Sequence, residues 1–245
     1  MKVLYAGVYK DGTGWANAAQ GYILALDAAG VDVVPRAIKF NDRQAEVPQR
    51  ILELEKKSSK GCTHIIQNVL PHHMEYSGHF SKNIGIYFTE TDSMTSSCWP
   101  SRLNLMDELW VCNEQMLEAA RKSGVVNKIS VVPVPCDTSR YEEAEASSRN
   151  TFAELTNERF RFYFIGELKR RKNLVSLLKA FHLEFGFNEP VDLVIKANIG
   201  DESQDECKKH VQEMSRTVKE NLKLYRNIQD YKEEILMLWL WEIPL

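Results

Sequence analysis

The sequence predicts an α/β protein built on a mostly parallel sheet. Short apolar runs alternate with amphipathic stretches through the first half of the chain. Glycines such as Gly30 and Gly124 stand where helical periodicity stops, as left-handed caps do. The segment Arg161–Phe181 then repeats the strand, turn and helix pattern. Strands that alternate with helices favour a parallel sheet covered on both faces.

Lys2–Val8 reads as a buried strand, followed by the loop Tyr9–Trp15. A helix is expected from Ala16 to Ala29, with Tyr22, Ile23, Leu26 and Ala29 as its buried stripe. Val31–Val34 is the next strand and Ile51–Lys57 a charged helix. Thr63–Asn68 and Asn83–Thr89 are strands, and Leu103–Met106 is a short helix. Glu108–Cys112 is a strand, Gln115–Ser123 a helix and Lys128–Val132 a closing strand. The expected organisation is residues 1–140 as a complete domain, residues 141–158 as a polar linker and residues 159–245 as a partial second domain. In that second part, Asp205–Leu222 reads as a helix with Val211, Met214, Val218 and Leu222 on its packed face, at helical spacing.

The net charge of −3 across 245 residues gives no reason to expect a nucleic-acid surface. Five scattered cysteines without a Cys-x-x-Cys pair argue against a disulfide framework or a zinc site, and fit a reducing, cytoplasmic setting. No ligand cluster suggests a metal. The first residues are too short an apolar run for a signal peptide, and no run is long enough to span a membrane.

The chemistry concentrates in Arg161–Phe181. Phe162, Phe164 and Ile165 supply an apolar strand, Gly166 a sharp turn, and Lys169, Arg170, Arg171 and Lys172 a burst of positive charge. Leu174, Leu177, Leu178 and Phe181 follow at helical spacing. Cations at a helix N-terminus oppose the macrodipole. A phosphate held between them and the free helix amides removes the conflict. A solvated basic turn is the plain alternative. Gly12-Thr-Gly14 after the first strand raises a dinucleotide site, but Asn17 stands where the third glycine belongs and Pro35-Arg36 where an acidic residue is preferred.

Three segments resemble glycosyltransferases of the GT-B fold, in particular the family-four retaining enzymes. They are Asp107–Met116 with Ile129–Asp137, Phe164–Asn173, and Val191–Lys196. The second is similar to the family's donor-phosphate loop, with Gly166 and Lys172 on its glycine and lysine. The resemblance implies two Rossmann-like domains, a nucleotide-sugar donor as substrate with no further cofactor, and a glycan or lipid-linked acceptor. Peripheral membrane association is common in such enzymes. It places Gly12, Gly14, Gly166, Arg171 and Lys172 near the donor phosphates, and His73 of the pair His72-His73 facing the sugar. The other reading of that pair is two loop histidines without a role. Glu90 either faces the acceptor or caps a turn. Glu167 departs from the family, which carries arginine there; Arg170 or Arg171 would supply the cation. Glu234 and Glu242 match the spacing of the family's acidic motif, but Ile235–Trp241 between them lacks its glycines. The chain is therefore expected to be truncated within the donor domain. The remaining alternative is a non-catalytic module that binds acceptor and lacks a complete donor site.

Overall fold

The computed structural model describes residues 1–40, 42, 44–138, 159–186, 188–198 and 203–226. The chain divides into two compact units, Met1–Ala144 and Glu145–Pro244. The expected linker at 141–158 and the segment bearing Glu234, Glu242 and Trp239 lie outside the described residues.

The first unit is an α/β layer on a six-stranded sheet. In chain order it holds β1 (Lys2–Gly7), α1 (Gly14–Ala28), β2 (Asp32–Ala37), α2 (Gln49–Glu55), β3 (His64–Asn68), β4 (Lys82–Ile86), α3 (Trp99–Leu103), β5 (Glu108–Val111), α4 (Glu114–Lys122) and β6 (Lys128–Val131). The strands lie in the order β2-β1-β3-β4-β5-β6, and every neighbouring pair is parallel. This is a Rossmann-like arrangement. The order reverses between β1 and β3, so the loops leaving those strands flank a switch point, where open α/β sheets usually take ligands.

Alternation along the strands builds two cores. Val3, Tyr5, Ile66, Ile84 and Ile86 pack against Ala19, Tyr22 and Ile23 of α1 and Ile51 and Leu54 of α2. Tyr87, Leu109 and Val111 pack on the opposite face against Leu103, Met116 and Ala120. Two expectations need correction. The stripe of α1 is Ala16, Ala19, Tyr22 and Ile23, with Leu26 half-buried against the same core as expected, while Ala29 is an exposed cap. The short helix begins at Trp99 and ends at Leu103, because Pro100 suits a first turn, and Met106 is buried in the turn that follows.

At the N-terminal edge of the sheet, Glu108 is buried and accepts hydrogen bonds from Lys82, Lys128, Ser130 and Trp110 Nε1. At the other end, the chain leaving β6 runs back to α1. Tyr22 donates to the Val132 carbonyl at 2.7 Å. A Cβ on Gly21 would lie 2.8 Å from the Pro135 carbonyl oxygen. Alanine gains about 1 kcal/mol of helix propensity over glycine, and overpacking against backbone costs about 1–3 kcal/mol. Gly21→Ala is therefore expected to lower the denaturation midpoint despite its better propensity; an unchanged or raised midpoint would contradict this close approach.

The second unit contains β7 (Phe160–Glu167), α5 (Leu174–Glu184), β8 (Val191–Asn198) and α6 (Gln204–Arg226). The two strands pair in parallel from Phe160 opposite Val191 to Glu167 opposite Asn198. Leu174, Leu178, Leu193, Ile195, Val211 and Val218 form its core, with Met214 and Leu222 partly buried beside them. The apolar run Phe162, Phe164 and Ile165 reads as a buried strand, but only one face of β7 is covered. Phe162 meets Phe181 and Phe185 on the helix-covered face. Tyr163 and Ile165 alternate to the other face, where they are 76% and 66% exposed.

His182 of α5 lies 3.3 Å from Ser215 Oγ of α6. Burial, and then the nearby Lys219 charge, push its pKa down to about 4. The folded unit thus holds the ring neutral. Its contribution is complete above the usual value of 6.5 and is lost as pH falls through about 4, a swing on the order of 2 kcal/mol. The second unit's melting temperature is expected to fall across that window, and less steeply in His182→Gln; equal slopes in both proteins would refute this.

Among the described residues, no helix is long and apolar enough to cross a membrane.

Candidate functional site

The basic cluster lies in the turn between β7 and α5. Gly166 and Glu167 end the strand, and Arg170–Lys172 form a single 3-10 turn. Asn173 then takes the left-handed conformation (φ 54°, ψ 39°), and α5 starts at Leu174. The sequence puts the cations in the turn and at the start of the helix; all four lie in the turn, and none enters α5. Backbone hydrogen bonds from Lys172 to Lys169 and from Asn173 to Arg170, at 2.9 and 3.1 Å, hold this turn closed.

Three features make the turn electropositive. No carboxylate of the described residues pairs with the exposed Arg170, Arg171 or Lys172. Asn173 makes no side-chain capping bond, and the first turn of α5 holds no acidic residue. The opening amides of a helix also have no intrahelical acceptors. Glu167, the residue at odds with the family pattern, forms an ion pair with Lys169 at 2.8 Å, so its charge is offset inside the turn. The structure also brings Gly166 and Lys172 together: a Cβ on Gly166 would lie 3.8 Å from Lys172 Cδ. Arg171 occupies the same turn.

In the first unit, the loop after β1 separates two glycines that the sequence treats alike. Gly12 has φ +70°, and a Cβ there would fall 2.8 Å from the Ala45 Cβ. Both conformation and packing thus demand glycine at that position. Gly14, the first residue of α1, faces open space. Asp11 accepts from the Thr13 amide and hydroxyl at 3.1 and 2.7 Å, and Thr13 Oγ1 caps α1 by accepting from the Ala16 amide. A carboxylate therefore stands beside the positive end of this helix.

His72 and His73 sit in a 3-10 turn after β3, both exposed. Their ring centroids are 4.0 Å apart. Phe40, from the loop after β2, lies 4.7 Å from His73. Trp99, at the start of α3, lies 6.3 Å from His72 in a stacked orientation. Trp15 of α1 and Phe88, after β4, meet edge to face at 4.7 Å. Glu90 is exposed in the loop after β4, where the Thr89 and Thr91 hydroxyls share a hydrogen bond.

Sequence reasoning singled out His73 and missed Phe40 and Trp99. Their only signal is position: each follows a strand that ends at the same edge of a parallel sheet. Among the described residues, no group of three or more His, Cys, Asp or Glu side chains is set to hold a metal ion. No protein-family model matches the chain, and no curated protein matches it.

Proposed function

We propose that this chain is a GT-B-type glycosyltransferase, or part of one. It would transfer a hexose from a nucleotide-sugar to a glycan or lipid-linked acceptor with retention. The carrying observation is the turn after β7, where three cations without carboxylate partners among the described residues follow one another in a single 3-10 turn ahead of a helix that has no side-chain N-cap. In such a reaction the bond between sugar and diphosphate breaks, and negative charge builds on the leaving diphosphate. Fixed cations and helix amides stabilise that charge as it develops. Lys172 and Arg171 are assigned to the phosphates, with Gly166 allowing the backbone to come close. Gly12 shapes the loop after β1, and Gly14 offers the open approach. His73 is assigned to the sugar. No protein nucleophile is assigned.

Calorimetry on the full chain tests this reading, with UDP, GDP and ADP and their hexose conjugates as probes. Micromolar binding of one nucleotide series supports a working donor site. Absence of binding by all of them refutes it. It would favour the alternative, an acceptor-binding module without a donor site.

A further inference from the structure

The connection from β3 to β4, residues 69–81, returns to a parallel strand without an α-helix. Such crossovers usually hold one, and a stretch of this length with a single 3-10 turn is more often a working loop than a mere link. Its backbone groups need partners from elsewhere. Two buried strand side chains supply them. Gln67 donates from Nε2 to the Glu75 carbonyl at 2.6 Å and accepts at Oε1 from the Glu75 amide at 3.0 Å. Asn83 donates from Nδ2 to the Ser77 carbonyl at 3.1 Å and accepts at Oδ1 from the Ser77 amide at 3.0 Å. Each side-chain amide thus pairs with a loop residue as a neighbouring strand would.

A third anchor joins them. Gln67 pairs with Gly85 across β3 and β4, and Asn83 stands two positions before Gly85, so all three share one face of the sheet. A Cβ on Gly85 would lie 2.8 Å from Met74 Sδ. The glycine leaves room for Met74, which is fully buried. Pro71 is buried as well. The two residues between them, His72 and His73, are exposed. The His73 and Met74 amides close their turn on the Leu70 and Pro71 carbonyls, at 2.9 and 3.1 Å. The loop is fixed at its base and presents the histidine pair outward, with the Phe40 ring 4.7 Å from that of His73.

We propose that Gln67 is a positioning residue: its two-pronged bond to Glu75 sets the His72–His73 turn so that the His73 ring meets the sugar in one fixed orientation. The inference rests on the proposed function for the role of His73, and on the hydrogen bonds above for the clamp. Gln67 acts through the turn, since its own side chain is buried. It grips the chain closer to His73 than Asn83 does, at Glu75 rather than Ser77. Its amide serves this contact, with one further long approach of 3.9 Å to Met106 Sδ, whereas the Asn83 amide also reaches Asp107. A group held ready in this way loses little freedom when a ligand arrives.

NMR on the full chain with labelled histidines reads the turn directly. In the parent, the Phe40 ring should shift the His73 ring protons, and the Glu75 amide should exchange slowly, because its hydrogen bond is to Gln67. Gln67→Met keeps the length of the side chain and lacks the amide. It should move the His73 signals towards those of free histidine and speed Glu75 exchange by about 10-fold or more, the loss of one hydrogen bond. With the hexose conjugate that calorimetry prefers, kcat should fall by about 10- to 100-fold, as a misplaced group costs, while KM stays unchanged. Loss of fold alone would not produce that split. Rapid Glu75 exchange in the parent overturns the proposal, whether or not Gln67→Met folds. So do unmoved His73 signals in the variant, or a kcat equal to the parent's. If the parent turns over no hexose conjugate, moved His73 signals support the positioning of the ring and refute the glycosyltransferase reading. Unmoved signals beside an active parent do the reverse.

Discussion

Lys172→Ala is expected to weaken binding of the preferred nucleoside diphosphate by about 10- to 100-fold, the loss of one charge-assisted hydrogen bond. Lys172 is exposed and lies beside Gly166 without a carboxylate partner among the described residues. Its removal should therefore leave the melting temperature of the second unit nearly unchanged. Arg171→Ala should act in the same direction, because it supplies charge from the same turn. Glu167→Gln should act in the opposite direction. It removes a negative charge and releases Lys169 from the ion pair seen at 2.8 Å, so affinity should rise a few-fold. The opposed signs separate an anion site from a solvated basic turn. If calorimetry gives the same affinity for Lys172→Ala, Glu167→Gln and the parent, the phosphate role of this turn is wrong.

The second large effect belongs to stability. Burial alone would raise the pKa of Glu108, but hydrogen bonds from Lys82, Lys128, Ser130 and Trp110 hold it down at about 2. Glu108→Ala strands these donors at the N-terminal edge of the sheet. The cost should be about 3 kcal/mol, the low end for a broken buried ion pair, since both lysines keep partial access to water. For the first unit that is a fall in melting temperature of about 10 °C. The pH dependence has a definite sign. A depressed carboxyl pKa stabilises the fold above the usual value of 4.5, and the contribution is lost as pH falls towards about 2. Melting temperature measured from pH 5 downward should therefore drop less steeply in Glu108→Gln than in the parent. Parallel slopes would show that another group controls acid unfolding.

Much of the first unit was legible because its strands are buried runs bounded by turns. β1, β3, β5 and β6 fall close to where apolar periodicity puts them. β2 runs on to Ala37 through Pro35, past the expected stop at Val34. Proline has no amide to donate, yet β2 is an edge strand and needs pairing on one side only. β4 stops pairing at Ile86, although Tyr87 and Phe88 continue the apolar run. Those two serve the cores without serving the ladder. α2 starts at Gln49, straight after Pro48, two positions before its first apolar residue. The turn holding Gly166 and Lys172 was legible because strand, turn and helix are contiguous. The left-handed Asn173 that detaches the cations from α5 was not, since asparagine is equally at home in a helix cap. The row from Phe40 to Trp99 leaves no local trace. Its members are neighbours only after β2, β3 and β4 have been laid side by side.

The return of the chain from β6 to α1 sets a timetable for synthesis. The Tyr22 hydroxyl finds its acceptor 110 residues later, on Val132. Gly21 meets Pro135 later still. At typical elongation rates, α1 emerges about 5–20 s before the segment that covers it. Through that interval Tyr22 has no Val132 to bond, and one flank of the first core stays open to chaperones or to other nascent chains. The helix made first is thus among the last parts of the first unit to be sealed.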